Sequence, residues 1–217
     1  MNHLPAILKK VEDVVLIENI KKEIILVDDG SKDGSREYIE KNVNDSIKKI
    51  YHARNMGKGA AVRTGIKNAT GDIIIFQDAD LELDPKEYNN LILPVIAGEC
   101  DAVYGSRFLK QRKAASRLHL LGNVFLTFLT RVLYNTKITD METCYKIFKK
   151  KVISNIKLKS NNFNIEPEIT AKALKAGLKI KEIPVKYNPR STKEGKKIKW
   201  RDGFQAIWTL LYWRFKD

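Results

Sequence analysis

The chain of 217 residues is 43% hydrophobic and 30% charged and has no run of ~20 consecutive apolar residues, which excludes a disordered chain and a polytopic membrane protein. Two cysteines, Cys100 and Cys144, lie far apart without a nearby Cys or His, so a disulfide-stapled miniprotein is excluded and buried free thiols are expected. The net charge of +14 is unevenly spread: residues 1–106 hold 14 basic and 18 acidic side chains, net −4, whereas residues 107–217 hold 26 and 8, net +18. A mildly acidic half joined to a strongly basic one suggests two tasks, one involving a cation and the other an anionic surface.

In chain order, His3-Leu4-Pro5 opens an amphipathic stretch to about Ile20. It lacks the regions of a signal peptide, and no export is expected. Glu23 to Asp28 is a β-branched run ending in Asp29-Gly30-Ser31, a strand followed by a turn, and a helix follows near Ser35 to Val43. Strands are predicted around Lys49 to His52, Ile73 to Gln77 and Ala102 to Tyr104, with helices around Ala60 to Ala69 and Lys86 to Ala97 between them. Such alternation means parallel β-structure with helical crossovers. Ile73-Ile74-Ile75-Phe76 is apolar without alternation, the pattern of a strand buried on both faces. Ligands of such sheets bind at the carboxyl ends of the strands, and Asp28-Asp29 and Asp78-Ala79-Asp80 both lie there. No repeat or Pro/Gly/Ser-rich linker interrupts the chain, so residues 1–217 read as one unit with a ligand-binding half, 1–106, and a basic half, 107–217.

Asp78 and Asp80, flanking a small Ala79, can present two carboxylates to one hard cation, or can simply form a solvated strand end. Between the acidic clusters, Asn55-Met56-Gly57-Lys58-Gly59 leads into a helix. This turn can hold an anion through backbone N–H groups and Lys58, or can be only a tight strand-to-helix connection. It is not a P-loop, because G-x-x-x-x-G-K-[ST] is absent. Taken together, these parts suit a metal-bound diphosphate with an acidic pair facing a nucleobase or ribose. Farther on, Leu121, Val124, Phe125, Phe128, Leu129, Val132 and Leu133 recur at three- and four-residue steps within Leu118 to Tyr134. Phe204, Ile207, Trp208, Leu211 and Phe215 repeat the pattern near the C-terminus, where all three tryptophans also fall. Such stripes either face a core or lie in a membrane interface. Charge alone would admit a nucleic acid partner, but the apolar stripes and the lack of a recognised module argue against one.

The ordered series Val27-Asp28-Asp29-Gly30-Ser31-x-Asp33-Gly34-Ser35, Asn55-x-Gly57-Lys58-Gly59, Gly71-Asp72-x-x-x-x-Gln77-Asp78-Ala79-Asp80 and Gly105-Ser106-Arg107-Phe108 resembles family 2 glycosyltransferases of the GT-A fold. Within them it resembles the dolichyl-phosphate mannose synthase and bacterial polyprenyl-phosphate branch. The resemblance implies an α/β fold with a mostly parallel, helix-flanked sheet and amphipathic helices in the C-terminal half. It implies a nucleotide-sugar donor of the GDP-mannose or UDP-glucose type, held by Asp28 and Asp29 at the nucleoside and by Mg²⁺ or Mn²⁺ on Asp78 and Asp80 at the diphosphate, with Lys58 and Gln77 as further contacts. The sugar would move with inversion to a polyprenyl phosphate. Arg107, Arg117 and Arg190 match positions near the acceptor phosphate or donor, and Asp140, in Thr139-Asp140-Met141-Glu142-Thr143-Cys144, matches an acceptor-side acidic segment. Pro189-Arg190-Ser191 to Ile198, with Lys193, Lys196, Lys197 and Lys199, resembles a basic loop that can cover the donor. An anionic membrane surface, reached from the cytoplasmic side, and a membrane-protein partner complete the expected partners.

The resemblance also implies an opening strand and a Pro-x-Tyr-Asn-Glu-like segment that this sequence does not contain. The edges of the two neighbouring strands are therefore expected to lack a ladder partner. Either the true start lies upstream, or the protein is a non-catalytic relative binding a lipid phosphate or a partner.

Overall fold

The computed structural model describes residues 3–17, 20–109, 116–190 and 200–216. Helix α1 (Leu4–Asp13) carries a proline in its first turn, where the missing N–H costs nothing, and buries Leu4, Ile7 and Leu8. It stops at Asp13, short of the expected Ile20. Beyond it the chain continues without helix, its path fixed by Asn89, which accepts from Ile17 N at 3.1 Å and donates to Val15 O at 3.0 Å. Val14, Leu16, Ile17 and Ile20 pack on the main core, so tertiary contacts ended the helix there.

Strand β1 (Ile25–Asp28), helix α2 (Ser35–Asn42), strand β2 (Lys48–Tyr51) and helix α3 (Lys58–Asn68) follow as predicted, then β3 (Ile73–Ile75), a 3-10 turn (Pro85–Glu87), α4 (Tyr88–Ile96) and β4 (Ala102–Ser106). The second half contributes α5 (Arg117–Tyr134), β5 (Lys146–Lys149), α6 (Lys150–Ile153), α7 (Ile165–Lys175), β6 (Ile180–Pro184) and α8 (Trp200–Phe215). Strands β1 and β2 form a parallel pair, and the remaining strands form a second sheet in the order β3-β5-β4-β6. In that sheet β4 and β6 are parallel, whereas β5 runs antiparallel between β3 and β4. The later half thus inserts a reversed strand into the βα alternation of the first. No ladder among the described residues joins the two sheets, and β1 and β3 each keep one edge without a described strand partner. Glu23 bridges part of the division by accepting from Thr70 N and Gly71 N.

The main core joins β3, β4, β5 and α4 through residues such as Phe76, Leu91, Val103, Ile147 and Phe148, with Ile165 and Ile169 of α7. Cys100 and Cys144 are buried and free, as expected. A second core of Leu126, Met141, Ala171, Ala206, Leu210 and Trp213 locks α5, α7 and α8 together. Helices α5 and α8 bury small and polar positions as well as apolar ones: Thr127, Thr130 and Thr209 are inside. The larger apolar stripe faces outward. Val124, Phe125, Phe128 and Val132 of α5, with Phe204, Trp208 and Phe215 of α8, are exposed, Phe128 by 60% and Trp208 by 69%. The core-facing alternative therefore fails for most of the stripe, while Leu129, Leu133 and Ile207 are partly buried against the second core. Among the described residues no helix is long and apolar enough to cross a membrane.

Candidate active site

The carboxyl end of β1 delivers Asp28 and Asp29 to different environments because successive strand residues point to opposite faces. Asp28 is only 4% exposed. Its carboxylate takes Arg36 Nε at 2.9 Å and Ser31 N at 3.2 Å, and Arg36 also donates to His52 O. As placed, Asp28 ties α2 to the strand end. Asp29 accepts from Met56 N and Gly57 N at 2.9 and 2.7 Å and lies 2.7 Å from His52 Nδ1. The opposite ring nitrogen of His52 meets Thr64 Oγ1 at 2.9 Å.

Of the two readings of the glycine turn, these bonds favour the tight strand-to-helix connection. Two of its N–H groups are spent on Asp29, and Ala60 N donates to Asn161 O at 3.2 Å, so the turn is not a free anion cradle. Its glycines serve close approach: a Cβ on Gly59 would lie 2.3 Å from Ser160 O, and one on Gly57, at φ +94°, 2.4 Å from Asn161 O. Lys58 is likewise drawn inward, to Asp78 Oδ2 and Glu166 Oε1, both at 2.9 Å. Burial alone would lower its pKa, but Asp78, Cys144 and Glu166 hold it well above the ordinary lysine value. Lys58 is thus a fixed partner of Asp78 instead of a free phosphate ligand.

Glu166 was not among the expected site residues. It stands in the first turn of α7 and bridges Lys58 to Lys146, whose Nζ lies 2.5 Å from Glu166 Oε2 and also donates to Met141 O and Thr143 O. Burial pushes the Glu166 carboxyl up, yet Lys146 and Lys58 together hold it below the usual range. No local signal marks Glu166 or Lys146, because the elements that carry them, Ile165–Lys175 and Lys146–Lys149, hold other acids and lysines as well.

Asp78 and Asp80 emerge just past β3. For Asp78, burial raises the carboxyl pKa but is outweighed by Lys58, with lesser help from Cys144 and Arg190. Asp80 goes the other way: burial and the neighbouring Asp78 charge raise it against Glu82 N and Arg190. Its Oδ1 accepts from Glu82 N at 3.0 Å and its Oδ2 from Arg190 at 2.6 Å. Glu82 extends this cluster, accepting from Arg190 N and from Tyr187 Oη. The structure therefore brings Arg190, remote in sequence, onto the Asp-x-Asp segment. Gln77 turns away from it. Its amide oxygen accepts from Tyr88 and Tyr145 at 2.9 and 2.7 Å, and its Nε2 donates to Asp78 O, so it braces the strand end.

Arg107 and Asp140 meet at the end of β4. Asp140 is fully buried and accepts from Arg107 Nε and NH2, each at 2.7 Å, and from Arg107 N at 2.9 Å. Such forked pairing fixes the guanidinium plane, which lies over the rings of Phe108 and Tyr187 at 5.4 and 5.1 Å. Asp140, fully buried, orients Arg107. Arg117 begins α5, and its side chain lies outside the described residues, as does the basic loop 191–199 with Lys193, Lys196, Lys197 and Lys199.

A helix-flanked α/β fold with carboxylates and arginines gathered at its strand ends defines the GT-A class of glycosyltransferase. The family model described as "Glycosyl transferase family 2" matches residues 1–157, and the chain belongs to that family. It is 32% identical to an uncharacterized protein of Methanocaldococcus jannaschii, over 90% of this chain and 84% of that one. It is 31% identical to a UDP-N-acetylglucosamine–dolichyl-phosphate N-acetylglucosaminyltransferase of Methanococcus voltae, covering 87% and 83%. In fold it is similar to glucosyl-3-phosphoglycerate synthase of Mycobacterium tuberculosis in complex with Mn²⁺, uridine diphosphate and glucosyl-3-phosphoglycerate. That likeness has a TM-score of 0.71 at 18% identity and covers 98% of this chain and 76% of that one.

Proposed function

We propose that this glycosyltransferase moves a sugar, with inversion, from a nucleotide-sugar to a polyprenyl phosphate of the dolichyl or undecaprenyl type at the cytoplasmic face of a membrane. The observation that carries the reading is Arg190 on Asp80 at 2.6 Å: a cation of the basic half stands at the Asp-x-Asp segment of the acidic half, so one place can gather a donor diphosphate and an acceptor phosphate. The Methanococcus voltae relative, named for a uridine donor and dolichyl phosphate, supports this substrate class. It favours an N-acetylhexosamine or related sugar over the mannose or glucose of the donors first expected.

Asp78 and Asp80 suit Mg²⁺ or Mn²⁺ in donor chemistry, because such ions are held by one or two carboxylates plus substrate phosphates. The charge repulsion between the two carboxyls, which raises Asp80, is what a divalent cation relieves. When bound, such an ion supplies charge neutralisation for the departing nucleoside diphosphate. Lys58 holds Asp78, Arg190 holds Asp80, and Asp140 aims Arg107. An acceptor phosphate oxygen attacks the anomeric carbon opposite the diphosphate, forming the new C–O bond while the old one breaks with its electron pair on the nucleoside diphosphate. A phosphate monoester is largely dianionic at neutral pH, its second pKa being about 6, so this attack needs no general base.

The exposed apolar faces of α5 and α8, in the half carrying net +18, support peripheral attachment to an anionic membrane, with room for a membrane-protein partner. The test is to incubate the purified protein with Mg²⁺ or Mn²⁺, a polyprenyl phosphate and a panel of nucleotide-sugars, and to read the mass of the lipid. One donor yields glycosyl lipid, Asp80→Asn abolishes it, and Phe128→Glu with Trp208→Glu reduces co-sedimentation with anionic liposomes. No product from any pair overturns the reading.

A further inference from the structure

Four charged side chains of alternating sign run inward from the end of β3. Lys58 Nζ donates to Asp78 Oδ2 and lies 2.9 Å from Glu166 Oε1, and Glu166 Oε2 lies 2.5 Å from Lys146 Nζ. Side-chain exposure falls along this row, from 38% at Asp78 through 18% at Lys58 and 6% at Glu166 to 0% at Lys146. Asp78 is therefore the end that an ion can reach from solvent. The row draws on the segment past β3, the start of α3, the first turn of α7 and β5, so only the fold assembles it.

The inner end is anchored on its own. Lys146 Nζ also donates to Met141 O and Thr143 O at 2.9 and 2.6 Å. The other acid near it, Glu142, is buried, and burial pushes its pKa up to about 7, so Glu166 is the carboxylate that matches Lys146. Glu166 offers one oxygen to each lysine and serves both. This sharing bears on Asp78. A lysine facing Asp78 alone would cancel its charge, and a divalent ion would then meet a neutral pair. With Glu166 in place, Asp78, Lys58 and Glu166 together carry net −1, and the cation that answers this charge, Lys146, sits at the buried end of the row. Coulomb energy falls with distance, so the three nearer charges weigh most at Asp78.

We propose that Glu166 is a positioning residue of the donor side: by sharing Lys58 with Asp78, it keeps Asp78 negative enough to bind a divalent cation while Lys58 still fixes the carboxylate. Glu166 touches Lys58 and not the ion. The inference rests on the reading that Asp78 and Asp80 hold Mg²⁺ or Mn²⁺, and it adds the residue that reconciles this task with a lysine already on Asp78.

The experiment titrates the full chain with Mn²⁺, alone and with uridine diphosphate, and reads the free ion by electron paramagnetic resonance. Glu166→Gln, which keeps the size of the side chain and removes its charge, weakens Mn²⁺ binding by about tenfold or more, the scale of one unit charge acting on a divalent ion several ångströms away. Lys58→Met, which removes the opposing cation, strengthens binding. The variant carrying both changes returns to within about threefold of the wild type, because the two effects have opposite sign. A residue needed only for packing would instead weaken binding in all three. Unchanged affinity in Glu166→Gln, weaker binding in Lys58→Met, or a double variant no better than Glu166→Gln overturns the inference while the metal reading stands. Where Glu166→Gln does not fold, Glu166→Gln with Lys146→Met removes both charges of the buried pair, a change that cores often tolerate. The same weakening is expected there, and unchanged affinity overturns the inference. A folded wild type that binds no Mn²⁺, with or without uridine diphosphate, overturns the inference and the metal reading together.

Discussion

Asp140→Ala tests whether the Arg107–Asp140 pair is the structural support of the acceptor side. Asp140 is 0% exposed and the Arg107 side chain 11%, and three hydrogen bonds of 2.7 to 2.9 Å join them. Truncation leaves a guanidinium buried without its counter-charge, which costs about 3–5 kcal/mol. Set against a global stability of about 5–15 kcal/mol, that is a third or more of the total for many domains. It lowers the melting temperature by about 6–20 °C at the ~2–4 °C per kcal/mol expected for a domain of this size. Replacing both partners, as in Arg107→Met with Asp140→Leu, removes the buried charge as well as its partner and recovers most of the loss. Guanidinium unfolding followed by circular dichroism and by tryptophan fluorescence measures all three proteins, with coincident transitions checking two-state behaviour. A loss below about 1 kcal/mol in Asp140→Ala, or a double variant no more stable than the single one, refutes the reasoning.

Two glycines in one helix should respond oppositely. Gly59→Ala places a Cβ 2.3 Å from Ser160 O, while at Gly65 nothing lies within 4 Å. Thermal melts should show Gly59→Ala destabilised by about 1–3 kcal/mol and Gly65→Ala stabilised by up to about 1 kcal/mol; the same sign in both would refute the close approach of α3 to residues 160–161. Glu142 also predicts a pH dependence of stability. Its pKa of about 7 in the fold exceeds the ~4.3 of an unfolded glutamate, so the folded state binds more protons across pH ~4.3 to 7. The stabilising contribution is complete below that window and is lost as pH rises through it. The stability of Glu142→Gln relative to wild type should therefore rise by up to about 3 kcal/mol between pH 4.5 and 7.5, read from urea midpoints; a flat difference contradicts a buried, proton-holding Glu142.

Much of the donor side was legible because its signals are local. The Ile73-Ile74-Ile75 run announces a buried strand through composition, and Asp78-x-Asp80 follows it by a few residues. The Gly57–Gly59 turn was legible as a turn, with an anion cradle and a tight connection both open. Whether a backbone N–H is free for an anion depends on what else reaches it, and here Asp29, 27 and 28 residues earlier in the chain, takes two of them. The partners of Gln77 and Lys58 were not legible, since the tyrosines and Glu166 that hold them lie on later elements. Helical periodicity found the stripes of α5 and α8, yet periodicity states only that one face is apolar and not which way that face turns.

The sequence by itself determined most element types of the first half, the division of charge into −4 and +18, and the motif series that marks family 2, because each depends on composition and short spacing. Tertiary structure decided which charges meet. It set Arg190 on Asp80, locked Asp140 under Arg107, joined Lys58 to Lys146 through Glu166 and left Glu142 unmatched. A buried charge is tolerated only with a partner, and for these residues the partners come from elsewhere in the chain, so their roles could be read only after folding had brought them together.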